Sequence, residues 1–279
     1  MELLRLSQPE DIPALRKLWA LAFGDSGPYV DNFFHRYYRP ERMLVLELDG
    51  QVQAMTAWFD TTLILPDSGE FSAAYLYAVA THPDFRSRGL SGKLLRWADE
   101  YFHSLNIPVV TTVPARPDLH NFFAQNGFQE CFTHNQLLCV DNSSVSISGC
   151  TLFPQSPAEY GSLREMLLAG TPHISFPLDA LEYQQGCCQV SGGGLYRVDT
   201  PSGPAALCAE GMEDGQLLVK ELIASPAVLS LLPSRLFSLL PSFSGMYRIP
   251  GNTVPFGMIK WLTSGFSSPK NVYLGLAFD

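Results

Sequence analysis

The segment from Ala73 to Leu105 constrains this chain more than any other. An apolar run, Ala73 to Ala80, reads as a buried β-strand. A short polar stretch follows, after which Leu90, Leu94, Ala98, Tyr101/Phe102 and Leu105 recur at helical spacing, so a helix begins near Arg88 to Gly89. A strand that passes so quickly into an amphipathic helix is an α/β unit. The small residues Ser87, Gly89, Ser91 and Gly92 let a ligand approach the backbone, and first-turn N–H groups have no helical partners. Arg86, Arg88, Lys93 and Arg96 cluster there, with no acid between Asp84 and Asp99. Free amides at a helix N-terminus beside local cations suit a pyrophosphate. Taken alone, the loop reads equally well as an ordinary turn with a solvated basic face.

The flanking sequence alternates strand and helix signals. Leu3 to Leu6 is a short strand candidate, and Ser7-Gln8-Pro9-Glu10 has capping-box form with Asp11 as a further cap. Ile12, Leu15, Trp19 and Ala22/Phe23 share one face of a helix that Gly24 ends. Met43 to Leu48 and Gln51 to Phe59 are β-type runs joined by Asp49-Gly50, a strong hairpin signal. Downstream, Pro108 to Val113 reads as a strand, Leu119 to Gln125 as a short helix, and Asn126-Gly127-Phe128 follows it.

Arg86-Ser87-Arg88-Gly89-Leu90-Ser91, after a strand and opening a helix, resembles the Arg/Gln-x-x-Gly-x-Gly/Ala signature of the GNAT superfamily of N-acetyltransferases. Ser91 departs from the last position, but it is nearly as small and Gly92 follows. Gly127-Phe128 resembles the Gly-Phe that closes the family's second cofactor motif, and the likeness covers about residues 3 to 140. It implies a GNAT fold, a mixed and mostly antiparallel sheet flanked by helices. It also implies acetyl-CoA as co-substrate, with its pyrophosphate on the amides of Ser87, Arg88, Gly89, Leu90, Ser91 and Gly92 beside Arg86. The pantetheine would pair with the strand edge at Val79, Ala80 and Thr81. A bulge in that strand would free amides, and the Val79 N–H would face the acetyl carbonyl. The implied reaction is acetyl transfer to a primary amine of a small molecule or peptide; a weak or inactive acetyl-CoA-binding regulatory protein is the alternative. Many relatives carry a Tyr four residues before the Gly of Gly-Phe, as acid for the departing thiolate. Phe123 stands there, and the candidates for replacement are His82, His120, Tyr75 and Tyr77.

Asp141 to Thr151, DNSSVSISGCT, has the small polar composition of a linker, giving domains at 1–140 and 152–279. In the second, Gly194 to Val198, Ala205 to Ala209 and Gln216 to Ile223 read as strands, and a helix broken at Pro233 follows from Pro226 to Leu240. The order echoes the first half, but Ser225-Pro226-Ala227-Val228-Leu229 stands where the Arg-x-x-Gly loop belongs. This half resembles the degenerate second GNAT-like α/β domain of tandem members of the enhanced-intracellular-survival type. That resemblance implies a terminal carboxylate reaching the first domain's site, so Asp279, at the tip of the apolar run from Val272, is a candidate base.

Composition excludes several classes. With 46% apolar and 16% charged residues and no long uninterrupted apolar run, a soluble globular protein is expected, and the N-terminus has no secretion pattern, which favours the cytoplasm. The net charge of −9 argues against nonspecific nucleic-acid or anionic-membrane binding. Six cysteines, without CxxC or Cys/His metal spacing, are expected to be buried reduced thiols, with no metal site.

Overall fold

The computed structural model describes residues 1–140, 149–211, 215–240, 242 and 244–278. The first half runs β1 (Glu2–Leu6), α1 (Ile12–Phe23), α2 (Gly27–Asn32), β2 (Met43–Leu48), β3 (Gln51–Leu65), β4 (Gly69–Thr81), α3 (Leu90–Ser104), β5 (Val109–Thr112), α4 (Pro117–Gln125) and β6 (Gln129–Val140). The second runs β7 (Thr151–Pro154), α5 (Pro157–Leu168), β8 (His173–Ser175), α6 (Leu178–Val190), β9 (Gly194–Thr200), β10 (Gly203–Gly211), β11 (Leu217–Ile223), α7 (Pro226–Leu229), β12 (Ser244–Pro250) and β13 (Val254–Trp261).

Local sequence explains most of these boundaries. Gly24 ends α1 in the left-handed conformation, φ 74°, which costs glycine little. Asp49 and Gly50 both take positive φ and close the β2–β3 hairpin, as the Asp-Gly pair demands. The capping box lies one residue later than its sequence form suggests: the Gln8 N–H donates to Asp11 at 2.7 Å, while the Ser7 hydroxyl meets Tyr38 at 3.1 Å. The stretch from Pro226 to Leu240 is broken before Pro233, as expected, but its parts are only the single turn of α7 and a 3₁₀ turn at Pro233–Ser238. A proline ring cannot follow a helical turn without losing a hydrogen bond.

Among the described residues one sheet of thirteen strands runs through both halves, in the order β1-β2-β3-β4-β5-β13-β6-β12-β11-β10-β9-β7, with β8 paired to β3. Most pairs are antiparallel; β4–β5 and β11–β12 are parallel. The two halves repeat one scheme and exchange their last strands. After the parallel pair β4–β5 comes β13 of the second half, after the parallel pair β11–β12 comes β6 of the first, and β13 and β6 pair at the centre. The sheet is therefore continuous across the sequence boundary at 141–151, of which residues 141–148 lie outside the described residues.

Beneath α3, its Leu90, Leu94, Leu95, Ala98 and Phe102 pack on Leu44, Trp58, Leu76 and Val110. The opposite face carries α1, α2, α6 and the tail after β13. That tail, Val272–Phe278, is not a sheet strand: it forms single bridges, Val272 to Phe132 and Tyr273 to His173, and then runs buried. Backbone N–H groups of Thr133 and Ile174 satisfy the carbonyls of Val272 and Tyr273, and side chains satisfy three of those beyond. Arg164 donates to the Leu274 carbonyl at 3.0 Å, Lys220 to that of Ala277 at 3.2 Å, and Tyr29 to that of Phe278 at 2.8 Å. A backbone this deep must find such partners, and beyond Tyr273 they are two buried cations and a phenol.

Candidate active site

The strand that sequence reasoning singled out carries an irregularity. In the β3–β4 ladder Ala57 opposes Tyr77 and Met55 opposes Ala80, so β4 holds one extra residue, and Ala78 has φ 52°. This is the bulge expected at Val79, and it bends β4. On its other side β4 stays registered with β5 only as far as Leu76 opposite Thr112. Beyond that the two strands part. A bulge at the corresponding place recurs in β11, where Lys220 is the extra residue, but no glycine loop follows it.

From the splayed edge the chain passes through Thr81 to the loop. Gly89 caps α3 at φ 74° with open space where a Cβ would lie, and Ser87 has φ 60°. The first intrahelical bond is donated by Lys93 to the Gly89 carbonyl, 3.0 Å, so the amides of Leu90, Ser91 and Gly92 precede it. The Thr81 and Ser91 hydroxyls lie 2.6 Å apart, and Arg86 donates to the Thr81 carbonyl at 3.3 Å, tying the loop to β4. The four cations are not equivalent. Lys93 is engaged with Glu2 at 2.7 Å, whereas Arg88 lies over Phe85 and donates to the Asp84 carbonyl at 3.0 Å.

The gap between β4 and β5 opens into a cavity of about 290 Å³. Tyr75, Leu76, Tyr77, Ala78, Val79, Thr112, Val113 and Phe123 line one part of it. The other part comes from Trp19 and Phe23 of α1, Asp25 after it and Tyr29 of α2, which the sequence reading did not connect with the site, and from Phe278 of the tail, whose terminal residue it had placed there. Buried Trp19 donates its indole N–H to Asp25 at 2.7 Å. The phenols form a chain, with Tyr29 3.4 Å from Tyr77 and Tyr77 2.9 Å from Tyr183. Burial pushes all three phenols well above the ordinary tyrosine range, so each is protonated at neutral pH.

Of the four replacements for the acid missing at Phe123, Tyr75 and Tyr77 line the cavity. His82 and His120 do not: the His82 ring accepts the Asp84 N–H at 3.3 Å, and His120 meets Glu130 at 2.6 Å. Tyr29 escaped sequence reasoning because α2 is short and only tertiary packing brings it to β4. Asp279 lies outside the described residues; Phe278 before it lines the cavity.

Among the described residues no group of three or more His, Cys, Asp or Glu could hold a metal ion, and no helix is long and apolar enough to cross a membrane. All six cysteines are free.

Residues 4–129 match the family model described as Acetyltransferase (GNAT) domain. No curated protein matches the sequence. The chain is similar in structure to a GCN5-related N-acetyltransferase from Kribbella flavida, with TM-score 0.69 and 13% identity over 94% of this chain and 71% of that one. It is also similar to Eis1 from Mycobacterium abscessus, with TM-score 0.65 and 10% identity over 94% and 74%. A putative acetyltransferase from Pyrococcus horikoshii gives TM-score 0.63 and 14% identity over 99% and 95%. What is shared at such identities is the fold, and it extends through both halves. The family match over the loop and its splayed strand, set in that fold, shows that residues 4–129 form a GNAT-family acetyltransferase domain and that the chain is an acyltransferase with a second, GNAT-like half.

Proposed function

We propose that the chain transfers an acetyl group from acetyl-CoA to a primary amine of a small molecule or peptide, in the cytoplasm, which six free thiols suit. One observation carries the reading: β4 bulges at Ala78–Val79 and parts from β5 on one side of the glycine loop, so a cavity and an anion cradle share a single strand. The loop amides from Ser87 to Gly92, with Arg86 and Arg88, hold the pyrophosphate. The edge Val79–Ala80–Thr81 pairs with the pantetheine amides as a further strand would, and the Val79 N–H faces the acetyl carbonyl. The open space at Gly89 fits a bulky anion lying against the backbone.

When bound, acetyl-CoA supplies a thioester that is already electrophilic, so the chain contributes chiefly position and charge stabilisation. The Val79 amide stabilises the oxyanion. Tyr29 serves the departing sulfur, taking the place that Phe123 leaves vacant, by turning its one O–H from the Phe278 carbonyl to the sulfur. Its phenol acts as a hydrogen-bond donor, not a full acid. An ordinary tyrosine already lies above the reference thiol pKa of about 8.5, and burial raises Tyr29 further, so complete proton transfer to a thiolate would run uphill. The halves 1–140 and 152–279 work as one unit, because the second supplies β13 beside β5 and Phe278 to the cavity wall.

Gly89→Asp tests the cradle. It forces a non-glycine residue into positive φ and places a negative charge on the anion site, so acetyl-CoA affinity should fall at least tenfold, about 1.4 kcal/mol or more. Calorimetric titration should show one molecule bound per wild-type chain. An unchanged dissociation constant, or two molecules per chain, would remove the assignment.

A further inference from the structure

The acceptor part of the cavity is more selective than acetyl transfer requires. Its walls are the rings of Trp19, Phe23, Tyr29, Tyr75 and Phe278, with Phe278 stacked on Tyr75 at a centroid distance of 5.8 Å. The polar groups of Tyr29, Tyr77 and Thr112 are already engaged, with the Phe278 carbonyl, the Tyr183 hydroxyl and the Leu76 carbonyl. Among the described residues Asp25 is the one charged side chain in the lining, and Trp19 orients its carboxylate through one oxygen. Part of the 290 Å³ must also take the acetylated end of the co-substrate, so the acceptor is small.

From this arrangement, and resting on the acetyl-transfer reading, we infer that the acceptor is a compact arylalkyl or alkyl primary amine, whose ammonium enters past Asp25 and whose apolar body packs against Phe23, Tyr29 and Phe278. A polyhydroxylated amine fits poorly. Its several hydroxyls would leave water for a wall made mostly of aromatic rings, where the Tyr29, Tyr77 and Thr112 hydroxyls already bond elsewhere, and each unmatched group costs roughly a factor of ten in binding. The ammonium must also lose a proton before attack, and Asp25, whose carboxylate is held by Trp19 on the α1 side of the cavity, selects the charged amine without serving the reacting atoms. Because Phe278 belongs to the tail that Arg164 and Lys220 hold, the second half sets the depth of the acceptor site.

The full chain should be assayed with acetyl-CoA and 2-phenylethylamine, glucosamine or a short peptide with a free N-terminus, reading CoA release, and each amine should also be titrated calorimetrically into the CoA-loaded chain. 2-Phenylethylamine should exceed glucosamine by at least roughly 10² in kcat/KM and in affinity. Asp25→Asn should weaken 2-phenylethylamine about tenfold while 2-phenylethanol, its neutral counterpart, binds within about twofold of wild type. Phe278→Ala should narrow the preference for small amines by admitting longer ones. Glucosamine or the peptide matching 2-phenylethylamine, or Asp25→Asn weakening the neutral alcohol equally, would overturn the inference. Failure of every amine to release CoA would count against the transfer reading alone, because the titrations still decide which amine class the cavity accepts.

Discussion

Glu221→Ala should cost about 3–5 kcal/mol of stability, because it strands a buried charge. The Glu221 carboxylate accepts from Arg164 at 3.0 Å and from the Tyr160 hydroxyl at 2.6 Å, and neither Arg164 nor Glu221 is exposed. Burial opposes the Arg164 charge, and Glu221 more than offsets that, keeping the guanidinium ionised. With the carboxylate gone, the guanidinium retains carbonyls of Ile174 and Leu274, the rings of Phe176 and Tyr273 and, as its counter-charge, a partly exposed Glu165. Urea unfolding should therefore show a lower midpoint. Replacing both partners, as in Arg164→Met with Glu221→Leu, should recover much of the loss, since two apolar groups leave no charge unpaired. A single-variant loss below about 1 kcal/mol would mean that the pair is solvated and that the tail is held by other contacts. The geometry adds a second constraint at Gly275, which has φ 78° and packs so closely that a Cβ would sit 1.8 Å from a Glu221 oxygen. Tail, ion pair and glycine thus form one interlocked unit.

Tyr29→Phe should lower kcat by roughly 10–10², the scale of one hydrogen bond to a charged atom, with acetyl-CoA affinity little changed. The substitution keeps the ring against Tyr183 and removes only the hydroxyl, which lies 2.8 Å from the Phe278 carbonyl and 3.4 Å from the Tyr77 hydroxyl. A stability loss of about 1 kcal/mol should accompany it. The two effects separate in the pre-steady state. If Tyr29 serves the departing sulfur, single-turnover transfer slows while KM for the amine holds; if it only anchors Phe278, KM rises and the transfer rate is kept. Tyr77→Phe provides the comparison, because Tyr77 is one step further along the hydroxyl chain and should have a smaller effect. Equal rates for Tyr29→Phe and wild type would leave the thiolate to depart without help from this residue.

Much of the first half was legible because its signals are local. The Asp49-Gly50 turn, the Gly24 cap, the helix after Gly89 and the strand before it depend on residues within a few positions of one another, where backbone geometry and apolar period act directly. The Arg86–Ser91 pattern was legible for the same reason, since a glycine cap and free first-turn amides are properties of one turn.

The rest depended on distant residues meeting. Nothing near Val254–Trp261 announces that it will lie between β5 and β6, because strand order is decided by which edges remain unpaired once both halves have formed. Asp25 and Tyr29 lie far in sequence from Phe278, and the three share a cavity only because α1, α2 and the tail cover the same face of the sheet. Lys220 looks like an ordinary strand lysine, yet a bulge places it in the core, where the Ala277 carbonyl and Glu210 satisfy its charge. The sequence by itself determined the cofactor-type loop and the helices and strands around it, whose energetics are local. Tertiary structure alone decided the acceptor cavity, since its walls come from elements whose mutual placement follows from burying apolar surface across the whole chain.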